Sequence, residues 1–143
     1  MTLMGAINYL DAVKPNTYGQ VEKIKWLSFL DERVKSEIID THEGLDFNFF
    51  GYDDGTALTT ELLIPAPYDE VYIFYLESKI DYHNGEIGKY NNSIAMFNNA
   101  YQAYQRHYNR THMPRGGKFV FSPAPTFEIE ISTGVAAVTV KED

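Results

Sequence analysis

Cysteine is absent from all 143 residues, so disulfides and thiol catalysis are excluded and the redox compartment leaves no mark. No apolar run exceeds VYIFYL, Val71 to Leu76, far short of the roughly 20 residues that a membrane-spanning helix needs. The opening MTLMGAINYLD has no basic flank ahead of an apolar stretch, so no secretory signal is expected and a soluble intracellular protein is the default. HExxH is missing. So is a glycine-rich phosphate loop, because Gly116-Gly117 precedes strand-like sequence rather than a helix. Acid is missing locally as well. Residues 87–127 contain no Asp or Glu, against five bases, Lys89, Arg106, Arg110, Arg115 and Lys118.

That gap divides an otherwise acidic chain. The net charge of −8 argues against nucleic acid as the principal ligand. Residues 1–86 hold sixteen acids and six Lys/Arg, a balance of −10, while residues 87–127 stand at +5 and residues 128–143 at −3. One domain is the expectation at this length, and a hydrophobic content of 44% excludes disorder for the body of the chain. Aromatics reach 15%, with eleven Tyr and nine Phe beside a single Trp. Tyr combines large apolar area with a polar tip, which suits contact between proteins.

Residues 87–108 carry the clearest pattern. Ile87, Tyr90, Ile94, Phe97, Tyr101, Tyr104 and Tyr108 recur at alternating steps of three and four, which aligns them on one stripe of a helix and fits no strand. The other side carries Asn91, Asn92, Asn98, Asn99, Gln102 and Gln105, amides where an ordinary solvated face has charges. The first reading is a core helix with an amide-rich back. The second is a helix touched on both sides, by its own domain and by another copy.

Upstream, Leu3, Ile7 and Leu10, with Val13 close by, predict a short amphipathic helix stopped at Lys14-Pro15-Asn16. Thr17 with Gln20 predicts a capping box. Ile24, Leu27, Leu30, Val34 and Ile38 then form the stripe of a helix running to about Thr41, with Gly44 as its cap. Glu22, Lys23, Lys25, Asp31, Glu32, Arg33, Lys35 and Glu37 fall on its other faces, a solvated or rim surface. Residues 45–66 lack a helical period. They predict an aromatic turn or hairpin around Asp54-Gly55, then an extended strand from Thr59 to Ile64.

After Pro67 a third helix puts Tyr72, Leu76, Ile80 and His83 on one face, with Val71, Ile73, Phe74 and Tyr75 around it. A helix apolar on several sides is buried on several sides, centrally or by a neighbouring subunit. Asn84-Gly85 breaks it, and so short a connector predicts an antiparallel hairpin with the long helix over about 67–112. Beyond Pro114 the composition turns to strands, with Phe127, Ile129 and Ile131 alternating with Glu128 and Glu130. The expected fold is mainly α. A helical bundle containing that hairpin spans 1–114 with an irregular insertion at 45–66, and a β-rich arm follows at 115–143.

Sites of chemistry are thin. Asp40, His42 and Glu43 could reach a metal, but a solvated helix end explains them better. Asp46-x-Asn48 with Gly51 fails as a calcium loop, because Phe50 holds its fifth position and Ala57 stands in place of the bidentate Glu. Ser28, Ser36, Ser78 and Ser93 have no strand-turn-helix elbow. Asp69, Glu70, Glu77 and Asp81 have the spacing of any helix surface. Neither catalysis nor a metal or cofactor is expected. The cluster Arg106, His107, Arg110, His112, Arg115 and Lys118 is the best candidate. Cations at a helix C-terminus are favoured by about 0.3–1 kcal/mol each, but that does not explain why no acid stands among them. A positive patch on an acidic protein suits an acidic partner, and the first half of another copy supplies one. Contacts between unlike faces close into rings.

The segment LLIPAPYDEVYIFYLESKIDYHNGEIGKYNNSIAMFNNAYQAYQRHYNRTHMP, with the upstream VEKIKWLSFLDERVKSEIIDTHEG, resembles the head-tail connector (adaptor) proteins of tailed bacteriophages and prophages. The likeness covers roughly Ala6 to Pro114. It lies in the helix lengths, the Pro-Tyr-Asp start, Asn-Gly-Glu between helices and Tyr-Asn-Asn. It implies a virion assembly protein at the head-tail junction, built in the host cytoplasm, with no cofactor and no membrane partner. The subunit would stand in a twelvefold ring of its own copies, docked beneath the portal protein and offering its far side to a tail or stopper protein. DNA would pass through an acidic lumen without specific binding, since like charges prevent adsorption.

The expected contact residues are Tyr72, Phe74 and Tyr75, the basic Arg106, Arg110, Arg115 and Lys118, and the apolar Phe119, Phe121, Phe127, Ile129 and Ile131. The arm is expected to add strands to a neighbour or to the portal. Two alternatives stand beside this one: a tail-completion or minor capsid component, and a small metal-dependent hydrolase using Asp40, His42 and Glu43. Deleting residues 118–143 is expected to weaken assembly with a portal ring, measured by co-sedimentation. Unchanged assembly would refute the arm's role.

Overall fold

A computed structural model describes residues 1–116 of the chain. Four α-helices appear among them: α1, Leu3–Val13; α2, Gln20–Val34; α3, Val71–Asn84; and α4, Ile87–Thr111. The described part is thus mainly helical. The β-rich arm expected at 115–143 lies outside it beyond Gly116.

Helix α1 buries Leu3, Ala6, Ile7 and Leu10, while Thr2 caps its start by accepting a hydrogen bond from the Gly5 amide at 2.9 Å. Pro15 then forbids continuation. The expected Thr17–Gln20 capping box does not form. Helix α2 begins instead behind Gly19 with no side-chain cap, and Asn16 holds the preceding turn by accepting from the Tyr18 amide at 3.1 Å. The stripe Ile24, Leu27, Leu30, Val34 and Ile38 is buried as its spacing predicts. After Val34 the helix widens into a π turn, Lys35–Ile39, closed by the Asp40 amide on the Lys35 carbonyl at 2.8 Å. That turn lets the adjacent Ile38 and Ile39 both face the core. Gly44, with φ of 119°, lies in the turn beyond Asp40 and is not the helix cap.

Helices α3 and α4 form the antiparallel hairpin. Gly85 makes the turn possible, since it ends α3 in the left-handed region at φ 75° and ψ 18°. At 25 residues, α4 is about 37 Å long at 1.5 Å per residue. Its stripe is buried from Phe97 through Tyr101, Tyr104 and Tyr108, but the hairpin end opens to solvent and leaves Ile87 65% exposed. Burial raises the stripe's phenols: Tyr101 is pushed up by burial and by its hydrogen bond to Glu37, and Tyr104 to about 12 by burial with Tyr108 and Asp31 nearby. These hydroxyls therefore stay neutral at ordinary pH. Helix α2 ties to α4 through Tyr101, whose hydroxyl donates to Glu37 at 2.9 Å beneath the Arg33 guanidinium, 4.6 Å from the ring.

Two residues assigned by spacing to the rim of α2 are inside. Lys23 is buried with its ammonium on Asp11, at 2.7 Å. Burial pushes the Asp11 carboxyl up, yet hydrogen bonds from Lys23 and Asn16, with the Lys23 charge, hold it below its ordinary range. Asp31 is 0% exposed. Its Oδ1 accepts from the Tyr72 hydroxyl at 2.6 Å, and its Oδ2 accepts from the Tyr52 hydroxyl at 2.6 Å and the Leu63 amide at 3.1 Å. Tyr72 in turn accepts from the Ile64 amide at 2.7 Å. Residues 45–66 are thus sewn to the bundle without a strand. The expected strand at Thr59–Ile64 reduces to one bridge, Thr2 with Glu61, as the Leu3 amide donates to Thr60 and the Leu62 amide to Met1. Asp54-Gly55 forms no hairpin. Asp53 and Thr56 build the turn instead: Asp53 Oδ1 accepts from the Gly55 amide at 2.9 Å, and the Asp53 amide donates to Thr56 Oγ1 at 2.9 Å.

Replacing Asp31 with Ala strands three donors and is expected to cost about 3 kcal/mol or more, at about 1–3 kcal/mol per unsatisfied buried group. Tyr72→Phe, which strands the Ile64 amide and removes one donor from Asp31, costs about 1–3 kcal/mol. Urea unfolding midpoints measure both. Burial raises the Asp31 carboxyl above its ordinary value, opposed by hydrogen bonds from Tyr52, Tyr72 and the Leu63 amide. The folded state therefore holds this proton more tightly than the unfolded chain. The contribution is full below the ordinary aspartate range and is lost as pH rises through the folded value. Wild-type stability relative to Asp31→Asn is expected to decline as pH rises out of the acid range, and a growing difference would contradict this.

Candidate functional site

The surface carries two unlike features. One is the outer face of α4, opposite its packed stripe. Asn91, Asn92, Asn98, Asn99, Gln102 and Asn109 are exposed there, and Arg106 and Arg110 continue the face at the C-terminal end. Asn and Gln do not titrate and Arg stays charged, so the ionic groups that α4 itself presents here are positive. Asp40 and Glu43 approach from the turn after α2, beside Arg115 and Met113. Among the described residues neither Arg106 nor Arg110 joins an ion pair.

The second feature is a groove of about 350 Å³ between α2 and the loop at 50–54. Val21, Lys25 and Phe29 line it from α2 at helical steps of four, off the buried stripe. Phe50, Tyr52, Asp53 and Asp54 face them, with Glu32 at one end. Three carboxylates stand against one lysine, and large apolar groups stay in water: Val21 is 60% exposed, Phe29 52% and Phe50 88%. The loop lies this close because residue 51 is glycine. The Tyr52 amide donates to Ser28 Oγ at 2.9 Å, and Gly51 sits over Ser28 and Glu32 at φ 85°, where a Cβ would collide with both side chains.

Other clefts serve the fold. Beside α1, one of about 330 Å³ is lined by Lys14, Glu77, Asp81, Lys89 and Ser93 among others. There the buried Asp81 accepts from the Ser93 hydroxyl at 2.6 Å, and Lys14 Nζ lies 2.9 Å from its Oδ1 as an ion pair outside hydrogen-bond angles. Burial raises Glu77, opposed by Lys14 and assisted by Asp81. This pairing fastens the end of α1 to the hairpin. A cleft of about 290 Å³ at the hairpin flank is lined by Tyr75, Lys79, Tyr82 and Tyr90.

The expected contact residues separate. Arg106 and Arg110 lie together on the exposed end of α4, and Phe74 and Tyr75 are half-buried on α3. Tyr72 is 0% exposed, its ring in the core and its hydroxyl on Asp31, so it meets no partner. The apolar belt of α3 is covered centrally, by its own bundle. Arg115 is engaged within the chain: its Nε donates to the Asp40 carbonyl at 2.8 Å and its Nη2 to the His42 carbonyl at 2.9 Å. His107 stacks on Tyr68, and His112 on Tyr108 with ring centroids 3.7 Å apart. Lys118, Phe119, Phe121, Phe127, Ile129 and Ile131 lie outside the described residues. His42 is buried, its Nδ1 2.7 Å from the Ile38 carbonyl, and no group of three His, Cys, Asp or Glu suited to a metal occurs among the described residues. No helix among them is long and apolar enough to cross a membrane.

No protein-family model matches the sequence, and comparisons with curated proteins and with solved structures returned no match.

Reading alone missed the groove, although the off-stripe pair Val21 and Phe29 was visible eight residues apart. Gly51→Ala tests the loop that walls it. Strain in the left-handed region and the collision with Ser28 and Glu32 are expected to destabilise the chain by roughly 1–2 kcal/mol and to speed hydrogen exchange at the Tyr52 amide. Unchanged exchange would show that the loop does not depend on glycine there.

Proposed function

We propose that this chain is a structural subunit that joins head to tail with its own copies, as a connector ring between the portal and tail of a tailed phage. The observation that carries the reading is the separation of two surfaces on one small molecule. One is the acid-free, amide-and-arginine face of α4. The other is an aromatic groove rimmed by carboxylates. A face that complements itself poorly and another face well favours a heterologous contact, and such contacts close into rings when the rotation permits.

The helical hairpin suits this role as a strut, since α3 is largely buried and packs along part of the longer α4. In the proposed ring, Phe74, Tyr75, Arg106 and Arg110 remain contact residues. The segment carrying Lys118, Phe119, Phe121, Phe127, Ile129 and Ile131 supplies contacts to the portal or a neighbour. The acidic remainder of the subunit faces the DNA path, where repulsion keeps the duplex from adsorbing. The tail or stopper protein meets the opposite rim. No cofactor takes part.

The test mixes purified chain with portal rings encoded beside its gene. Electron microscopy and native mass spectrometry are expected to show added density of many copies per portal, weakened by raising salt toward 1 M, where the screening length falls to about 3 Å. A chain that binds neither the portal nor itself in that mixture overturns the reading.

A further inference from the structure

We infer that the groove between α2 and the 50–54 loop receives the basic C-terminal end of α4 from a second copy of this chain. The inference rests on the head-to-tail part of the proposed function and names the two surfaces that meet. The groove offers exposed Val21, Phe29 and Phe50, framed by Glu32, Asp53 and Asp54. A monomer has little reason to leave a phenylalanine 88% exposed beside two other apolar side chains, and such a cluster marks a contact surface. Its rim of three carboxylates against Lys25 selects a cationic occupant and repels anionic lipid and nucleic acid.

The same chain supplies that occupant. Arg106 and Arg110 lie one helical turn apart on an exposed face, and Met113, 44% exposed, follows at the same end. No acid occurs within α4 or in the segment after it through Gly116. Asp40 and Glu43, beside Arg115 and Met113, are the nearest acids from another element, and Asp40 is paired with Lys35. Arg suits the task because its planar fork pairs with carboxylates bidentately while its stem and face lie along aromatic rings. Two grooves repel each other, as do two α4 ends, so like faces do not pair. The contact is heterologous.

The absence of cysteine makes the test direct. Lys25→Cys places a thiol in the groove without removing an acid, and Asn109→Cys places one beside Arg110 on α4. Separately tagged preparations of the two variants are mixed, oxidised, and scored for mixed against self-paired dimers, with exposed Tyr9→Cys as the control partner. Circular dichroism checks that each variant keeps its helix content. Disulfides between the groove variant and the α4 variant are expected to exceed both self-pairs and the control by about tenfold or more. Arg106→Glu with Arg110→Glu is expected to abolish the excess, and Glu32→Lys with Asp54→Lys in the partner to restore it. Mixed pairing no more frequent than the control overturns the contact, as does an excess that the charge reversal leaves intact. Oligomers that form on the portal with other crosslinks overturn this contact while leaving the ring reading in place. An excess of mixed pairs from a chain that never binds a portal sustains the contact and removes the virion role.

Discussion

The fold depends on one buried carboxylate. Asp31 sits at zero exposure in the last turn of α2 and accepts from Tyr52 and Leu63 of the irregular segment and from Tyr72 of α3. Taking an ionised carboxylate out of water costs several kcal/mol even after relaxation. Hydrogen bonds to a charged group return about 1.5–3 kcal/mol each, so the three of them offset much of that cost. The raised Asp31 carboxyl records the remaining imbalance, with burial outweighing its donors. Removing any partner therefore does more than delete a contact. It leaves a charge or an amide inside with nothing to bond.

This arrangement explains how more than twenty residues without helix or strand can belong to a small bundle. A long irregular connection is stable only where its backbone groups find partners. Here the Leu63 amide finds Asp31, the Ile64 amide finds Tyr72, and the Tyr52 amide finds Ser28. The Leu62 amide bonds to Met1, and the start of α1 donates back to Leu58 and Thr60. The loop wall of the acidic groove is therefore a consequence of the core and not a free surface segment.

The helices were legible because apolar spacing registers the burial of side chains that have no alternative to burial. The stripes of α1, α2 and the later half of α4 followed from that alone, while the turn at Gly85 followed from its Asn-Gly pair. Spacing sorts polar residues by default to the rim, and so it misplaced Asp31 and Lys23, whose partners are distant in sequence. It also assigned Tyr72 to a partner, because a Tyr on a crowded apolar helix looks the same whether its hydroxyl meets water or a buried Asp. The strand expected at Thr59–Ile64 failed for a related reason. Its β-like composition was real, but among the described residues it pairs with the short run at the start of α1, which gives one bridge and no ladder. The basic end of α4 was visible in composition. The groove opposite to it in sign was not, since it is assembled from two segments that only the Ser28 and Asp31 hydrogen bonds bring together.

The electrostatics of the proposed contact follow from which groups titrate. Burial holds the phenols of the α4 stripe protonated, Tyr104 up to about 12, while the outer amides have no ionisation and the arginines do not lose theirs. The charge that α4 presents at that end is therefore positive, and salt screens it. An exposed pair of this kind contributes only about 0–1 kcal/mol, so two arginines on a carboxylate rim cannot hold free subunits together tightly. A template changes the arithmetic. Once a first copy is docked on a symmetric platform, its neighbours meet it at high effective concentration, and many weak identical contacts act together. A subunit built on such contacts pairs only transiently in free solution and assembles stably when the platform is present, which is the behaviour an assembly requires if empty rings are not to form first.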